Sequence, residues 1–174
     1  TGSGAFTGTQ VSSLGFGSAL KTIGANAFSG LTNLTSIGSD LSGVTTIGAN
    51  AFTNTGVSSL SFSNALTSIG ASAFNGLSKL TSIGSDLSGV TTIGANAFSN
   101  TGISSLTFSN ALTSIGDSAF SGLSKLTSLG TLTGVTTIGA NAFSNTGISS
   151  LTFSNALTSI GASTFADATN LATI

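Results

Sequence analysis

All twelve phenylalanines of the chain fall into two slots of one repeating unit, and no other feature limits the possible folds so tightly. Eight occupy an Ala-Phe-type slot: Phe6, Phe28, Phe52, Phe74, Phe98, Phe120, Phe143 and Phe165, recurring every 22 to 24 residues. The other four, Phe16, Phe62, Phe108 and Phe153, close short alternating segments in every second unit. Segments of the form L-x-x-L begin at Val11, Leu34, Val57, Leu80, Ile103, Leu126, Ile148 and Leu171, always 23 residues apart except for one step of 22. The unit is therefore 23 residues, and neighbouring units differ enough to define a 46-residue pair. The string "VTTIGANAF" (44–52) returns unchanged at 90–98 and, after the loss of one residue, at 135–143. A period in the twenties marks a solenoid, in which each coil buries its apolar edge only against its neighbours.

Each unit reads as three pieces. A short strand such as "ISSLTF" (103–108) sends Leu106 and Phe108 to one side and Ser105 and Thr107 to the other. An extended stretch such as "LTSIG" (112–116) forms the opposite wall. A turn or single helical turn such as "DSAFSGL" (117–123) joins them, with Asp or Asn as a cap and Gly ending the turn. The glycine after each wall isoleucine (Gly24, Gly48, Gly70, Gly94, Gly116, Gly139, Gly161) marks a corner where a Cβ would crowd or φ must turn positive. Proline is absent, in keeping with a backbone whose N–H groups are needed for ladders between coils.

Charge narrows the function. Three lysines (Lys21, Lys79, Lys125) face four aspartates (Asp40, Asp86, Asp117, Asp167), for a net charge of −1. No basic stripe is available to neutralise phosphates, so nucleic-acid binding is not expected. With no Trp, no Tyr and no polybasic cluster, membrane-surface binding has no support either. No apolar run approaches the ~20 residues of a membrane span. The chain has no Cys, His or Glu, which removes Ser–His and Cys–His catalysis and the usual zinc ligand sets. No catalytic residue, cofactor site or metal site is assigned, and an enzyme is not expected.

The segments "ALTSIGASAFNGLSKLTSIG" (65–84) and "ALTSIGDSAFSGLSKLTSLG" (111–130) resemble the BspA-like leucine-rich repeats, with their Leu-x-x-Ile-Gly-x-x-Ala-Phe core. The resemblance covers essentially the whole chain. It implies a leucine-rich-repeat solenoid and a place in long surface-exposed or secreted proteins, with roles in adhesion and in host or matrix contact. Two departures stand out. The Cys that often follows Ala-Phe in the family is missing, and Ser63, Ser109 and Ser154 stand where a Pro commonly follows the first strand.

The remaining polar residues offer a few candidate sites. Asp40 and Asp86 share a slot two coils apart, about 10 Å at ~4.8 Å per coil, which suits neither a shared metal nor a retaining glycosidase pair. Asp117 and Asp167 read as turn or cap residues. Lys79 and Lys125 follow Ser78 and Ser124, but adjacent residues do not face one another as a nucleophile and its base must. What survives is an array. Thr45, Thr67, Thr91, Thr113, Thr136 and Thr158 stack in one column; Thr22, Thr46, Ser68, Thr92, Ser114, Thr137 and Ser159 form a second beside it. The plain reading is that Thr suits a half-buried strand. The sharper one is a contact face centred on Thr45, Thr46, Thr67, Thr91, Thr92, Thr113, Thr136, Thr137 and Thr158 for ice, glycan or another copy of the chain.

The expected molecule is thus one β-rich, leucine-rich-repeat-like solenoid over residues 1–174. It has about eight coils of 23 residues, with short parallel strands and phenylalanine stacked inside. The expected function is a non-catalytic structural or adhesive repeat at the cell surface or outside the cell. The alternative is an ice- or glycan-binding solenoid. Expected partners are other copies, other surface proteins or glycans. The chain begins and ends without a polar capping repeat, so it is expected to be an interior stretch of a longer protein. Head-to-tail end pairing and lateral contact of neutral walls would both extend it into a fibre, sheath or stalk.

Overall fold

The structure, a computed structural model, describes residues 1–37, 41–84 and 87–174. Asp40 and Asp86, the acidic pair two coils apart, lie outside the described residues. The chain winds as a parallel β-solenoid, and no helix occurs among the described residues. Its strands are two residues long: β1 (Ser13–Leu14), β2 (Thr22–Ile23), β3 (Ser36–Ile37), β4 (Thr46–Ile47), β5 (Ser68–Ile69), β6 (Thr92–Ile93), β7 (Ser114–Ile115), β8 (Thr137–Ile138) and β9 (Ser159–Ile160). Strands β2-β4-β5-β6-β7-β8-β9 form one seven-stranded sheet, and β1 pairs with β3. Seven strands on the continuous wall is slightly fewer than the eight coils counted from the phenylalanines.

Register sets the core. Ile23, Ile47, Ile69, Ile93, Ile115, Ile138 and Ile160 lie opposite one another, as do the Thr and Ser residues just before them. With a side-chain period of two, the column faces the core, and Ile23, Ile47, Ile69, Ile93, Ile115 and Ile138 are buried, whereas Ile160, on the last coil, is half exposed. Inside, the Ala-Phe rings stack coil on coil. Phe74–Phe98 and Phe98–Phe120 have centroids 5.3 and 5.5 Å apart, the latter pair with planes only 2° apart. Phe62 and Phe108, from the alternating segments, tilt onto Phe74 and Phe120 at 6.3 and 6.1 Å. The expected facing of the first strand holds: Leu106 and Phe108 are buried, and Ser105 and Thr107 are exposed.

The two walls differ in continuity, which the repeat did not disclose. The continuous ladder runs along the "LTSIG" wall. On the "ISSLTF" wall, the β-bridges among the described residues join coils in twos, through β1–β3 and the bridges Ser59↔Ser82, Ser105↔Ser128 and Ser150↔Thr173, and a lone bond from Leu132 N–H to Thr152 O at 3.1 Å links one pair to the next. No backbone hydrogen bond joins residues 81–84 to 103–107. The cause lies in alternate units. After Leu60 and Leu106 the chain stays extended to a buried phenylalanine. After Ile83 and Leu129 it turns away at Gly84 (φ 89°) and Gly130 (φ 69°). The 46-residue pair seen in the sequence is therefore also a structural unit.

The third piece of each coil is a turn with two left-handed residues rather than a helical turn. The first lies two residues before the Ala-Phe-type phenylalanine: Gly4 (φ 62°) in the first coil, then Asn26, Asn50, Ser72, Asn96, Ser118, Asn141 and Ser163, with φ between 54 and 56°. The second, two residues after it, alternates between glycine (Gly30, Gly76, Gly122) and Asn54, Asn100 and Asn145. Asn visits this region at little cost because its short polar side chain bonds locally. These asparagines, expected as caps, instead supply backbone curvature. Turn N–H groups point to the following coil, as in Phe98 N–H to Ala119 O at 2.9 Å. Wall N–H groups point to the preceding one, as in Gly94 N–H to Ile69 O at 2.8 Å. The axial dipoles of the two arcs therefore oppose each other.

Serine has less to gain than Asn from a left-handed site, and a β-branched residue has least. We expect Ser118→Val to destabilise by about 1–2 kcal/mol and Ser118→Gly to be neutral or stabilising, measured by urea unfolding followed by circular dichroism.

Candidate contact face

The two hydroxyl columns lie on the continuous wall but are used differently. In the first, each hydroxyl donates along the solenoid axis to a carbonyl of the preceding coil. Thr45 donates to Lys21 O (3.1 Å), Thr67 to Thr45 O (3.0 Å) and Thr91 to Thr67 O (3.1 Å). Thr113, Thr136 and Thr158 continue the series at 3.0–3.1 Å. The backbone N–H of Thr67, Thr91, Thr113, Thr136 and Thr158 donates to the same carbonyl as its own hydroxyl. This column is a second set of rungs.

The second column faces outward. Thr22, Thr46, Ser68, Thr92, Ser114, Thr137 and Ser159 are the first residues of their strands, with the inward isoleucine next in line. Hydroxyls touch along it in places: Thr92 donates to Ser68 at 3.5 Å and Thr137 to Ser114 at 3.2 Å. Of the proposed contact residues, Thr45, Thr67, Thr91, Thr113, Thr136 and Thr158 brace the ladder, yet Thr67, Thr91, Thr113 and Thr158 are exposed to solvent as Thr92 and Thr137 are, and Thr46 is half-buried. The adjacency Thr-Thr hid this division, because both residues carry the same group.

The difference is measurable. Thr113→Val should cost about 0.5–1.5 kcal/mol through the lost bond to Thr91 O. Thr92→Val, on the outward column, should stay within about 0.5 kcal/mol of the parent.

The remaining polar groups are structural by position. Asp117 accepts the N–H of Ala140, one coil on, at 2.8 Å, and Asp167 occupies a left-handed turn site (φ 56°). No hydrogen bond joins Ser78 to Lys79 or Ser124 to Lys125. Among the described residues no group of three His, Cys, Asp or Glu is gathered as a metal cluster would require.

Sequence reasoning missed two clefts between coils. One, of about 450 Å³, opens where the front ladder is interrupted, between Ser61, Thr81 and Ser82 on one pair and Ser105 and Thr107 on the next. The other, of about 460 Å³, lies at the edge of the turn and is lined by residues that include Asn54, Thr55, Ser78 and Lys79. The repeated Asn-Thr-Gly at 54–56, 100–102 and 145–147 was the available signal for the second.

The model of the BspA type leucine rich repeat region matches the chain in six copies, over residues 1–109 and 91–174. No curated protein matches it. Among solved structures, a leucine-rich repeat protein from Bacteroides ovatus is similar at TM-score 0.73 and 21% identity, over 97% of this chain and 56% of its own. The T. pallidum leucine rich repeat protein is similar at TM-score 0.72 and 22% identity, over 99% of this chain and 71% of its own. A leucine rich cell surface protein from Faecalibacterium prausnitzii is similar at TM-score 0.52 and 19% identity, over 99% of this chain and 62% of its own. The chain thus spans a little over half of the first of these relatives. At such identities the likeness is one of fold.

Proposed function

Because the chain belongs to the BspA-type leucine-rich repeat family, we propose that it is a non-catalytic structural or adhesive repeat segment of a cell-surface or extracellular protein. One observation carries the reading: the same neutral hydroxyl-bearing coil is repeated along the wall, so chemistry is spread over a length rather than gathered at a point. Fold alone does not assign a role. The description of the Faecalibacterium relative as a cell surface protein supports the location. Self-association belongs to the same reading, since walls with so little charge have little repulsion to hold neighbouring copies apart. Antibody raised against the chain should label intact source cells. Label that appears only after permeabilisation contradicts the proposal.

The outward column favours a second reading, ice or glycan binding on the continuous wall. Its test is thermal hysteresis beside a glycan array, with Thr92→Lys as the variant. Ice shaping that is lost in this variant would replace the first reading with the second.

A further inference from the structure

The cleft where the front ladder is interrupted gathers polar groups that the chain itself leaves unsatisfied. It spans three successive coils, with Ser61 on the first, Thr81, Ser82 and Gly84 on the second, and Ser105 and Thr107 on the third. All five hydroxyl-bearing residues are exposed to solvent. Gly84 opens the cleft. On the flanking coils the strand runs on to the buried Phe62 and Phe108, whereas at Gly84 the chain turns left-handed (φ 89°) and sets no side chain between Ser61 and Thr107.

The hydroxyls of Ser61, Ser105 and Thr107 make no hydrogen bond within the described chain. Thr81 donates to Ser58 O, and Ser82 accepts from Gly84 N–H, both at a long 3.4 Å. The backbone N–H and C=O groups of Ser105 and Thr107 are unpaired as well. At the next junction Thr152 O, the counterpart of Thr107 O, accepts Leu132 N–H at 3.1 Å across a connection one residue shorter. The middle junction thus keeps open an acceptor that the later one uses internally.

Among the described residues the cleft has no charged, aromatic or aliphatic side chain. A ligand that fits it is uncharged and polar, and both gives and takes hydrogen bonds, as hydroxyls do. We propose that this cleft binds a neutral polysaccharide in extended form, lying along the solenoid axis across Ser61, Gly84 and Thr107. Its volume of about 450 Å³ falls in the ordinary range of ligand sites. Three coils span about 10 Å at ~4.8 Å per coil, which seats about two pyranose rings. With no ring to stack on the sugar, a disaccharide should bind weakly, on the order of millimolar. This deepens the adhesive reading and rests on it, and it places the sugar on the wall opposite the hydroxyl columns.

The test is a heteronuclear NMR titration of the purified chain with neutral β-linked gluco-, xylo- and manno-oligosaccharides of one to six sugars, beside a Gly/Ser/Thr peptide of equal length. The amides of Ser61, Ser82, Gly84, Ser105 and Thr107 should shift. Affinity should rise about tenfold from one sugar to two, through the added hydrogen bonds, and then level off. Added salt should leave it unchanged, since no ion pair is involved. Thr107→Val should weaken binding about threefold to tenfold at an unchanged melting temperature. Ser105→Leu, which fills the cleft, should abolish it, while Thr92→Lys on the opposite wall should bind as the parent does. The proposal is overturned by absence of binding across all the oligosaccharides, by shifts confined to the Thr92 wall, or by cleft shifts with the peptide alone. Unchanged affinity in both cleft variants overturns it too. Any of these leaves the surface labelling of intact cells, and the adhesive reading it tests, untouched.

Discussion

Replacing Phe98 by alanine is expected to lower the unfolding free energy by about 3–5 kcal/mol. Phe98 is fully buried and sits between Phe74 and Phe120, so the change opens a cavity and removes two ring contacts. Stacked pairs add about 0.5–1.5 kcal/mol each beyond burial. The position matters as much as the size. In a solenoid each coil contacts only its neighbours, so weakening one central interface reduces the coupling between the two halves. Urea unfolding followed by circular dichroism should show a lower midpoint and a shallower or split transition. Phe153, only partly buried, is the control, and Phe153→Ala should cost clearly less.

The second large effect reverses a common expectation. Gly→Ala at an ordinary backbone angle stabilises by about 0.4–1 kcal/mol, because the unfolded chain loses freedom. Gly94 does not have a positive φ, yet a Cβ there would lie 2.5 Å from Ala71 N, 2.7 Å from Gly70 C and 2.8 Å from Ala71 Cα. All three are backbone atoms of the preceding coil and cannot rotate away. Relief requires the coils to part, which stretches the 2.8 Å bond from Gly94 N–H to Ile69 O. Overpacking typically costs 1–3 kcal/mol and sometimes more; Gly94→Ala should reach about 3 kcal/mol. Gly17, with nothing near its missing Cβ, provides the contrast: Gly17→Ala should be neutral or slightly stabilising in the same assay.

These two positions also show what was legible in the sequence. The period, the buried phenylalanine slot and the isoleucine column follow from spacing, because a coil can bury a residue against its neighbours only if the same slot returns each turn. The glycine column was legible as a need for either no Cβ or a positive φ. The structure selects the first, and positive φ falls two residues later on Asn26, Asn50 and Asn96. Asn before Ala-Phe reads equally well as a helix cap or as a left-handed turn residue, since both uses draw on the same short amide. The alternation of glycine with asparagine two residues after phenylalanine was the better clue, because these are the residues that tolerate a left-handed angle.

Ladder continuity was not legible. Both walls alternate hydroxyl and aliphatic residues, and only the left-handed Gly84 and Gly130 show where the front strand is cut short. How the two hydroxyl columns are used was not legible either, because which hydroxyls bond along the ladder depends on carbonyls one coil away, 22 to 24 residues distant in sequence. Ser105 and Thr107 escaped notice for the same reason, since their distinction lies in bonds not made.

Residue-resolved amide hydrogen exchange tests the architecture most directly. Gly70, Gly94 and Gly116 donate to Ile47 O, Ile69 O and Ile93 O at 2.8–2.9 Å in the interior of the continuous ladder. Their amides should exchange only through large-scale opening, on the slowest time scale of the chain. Ser105 and Thr107 are exposed, and no hydrogen bond links their segment to residues 81–84 of the preceding coil. They should exchange orders of magnitude faster than Gly94, while Leu106, bonded to Ser128 O at 3.3 Å, falls between. Equal protection of Ser105 and Gly94 would mean that both walls carry unbroken ladders, and would contradict the paired-coil solenoid.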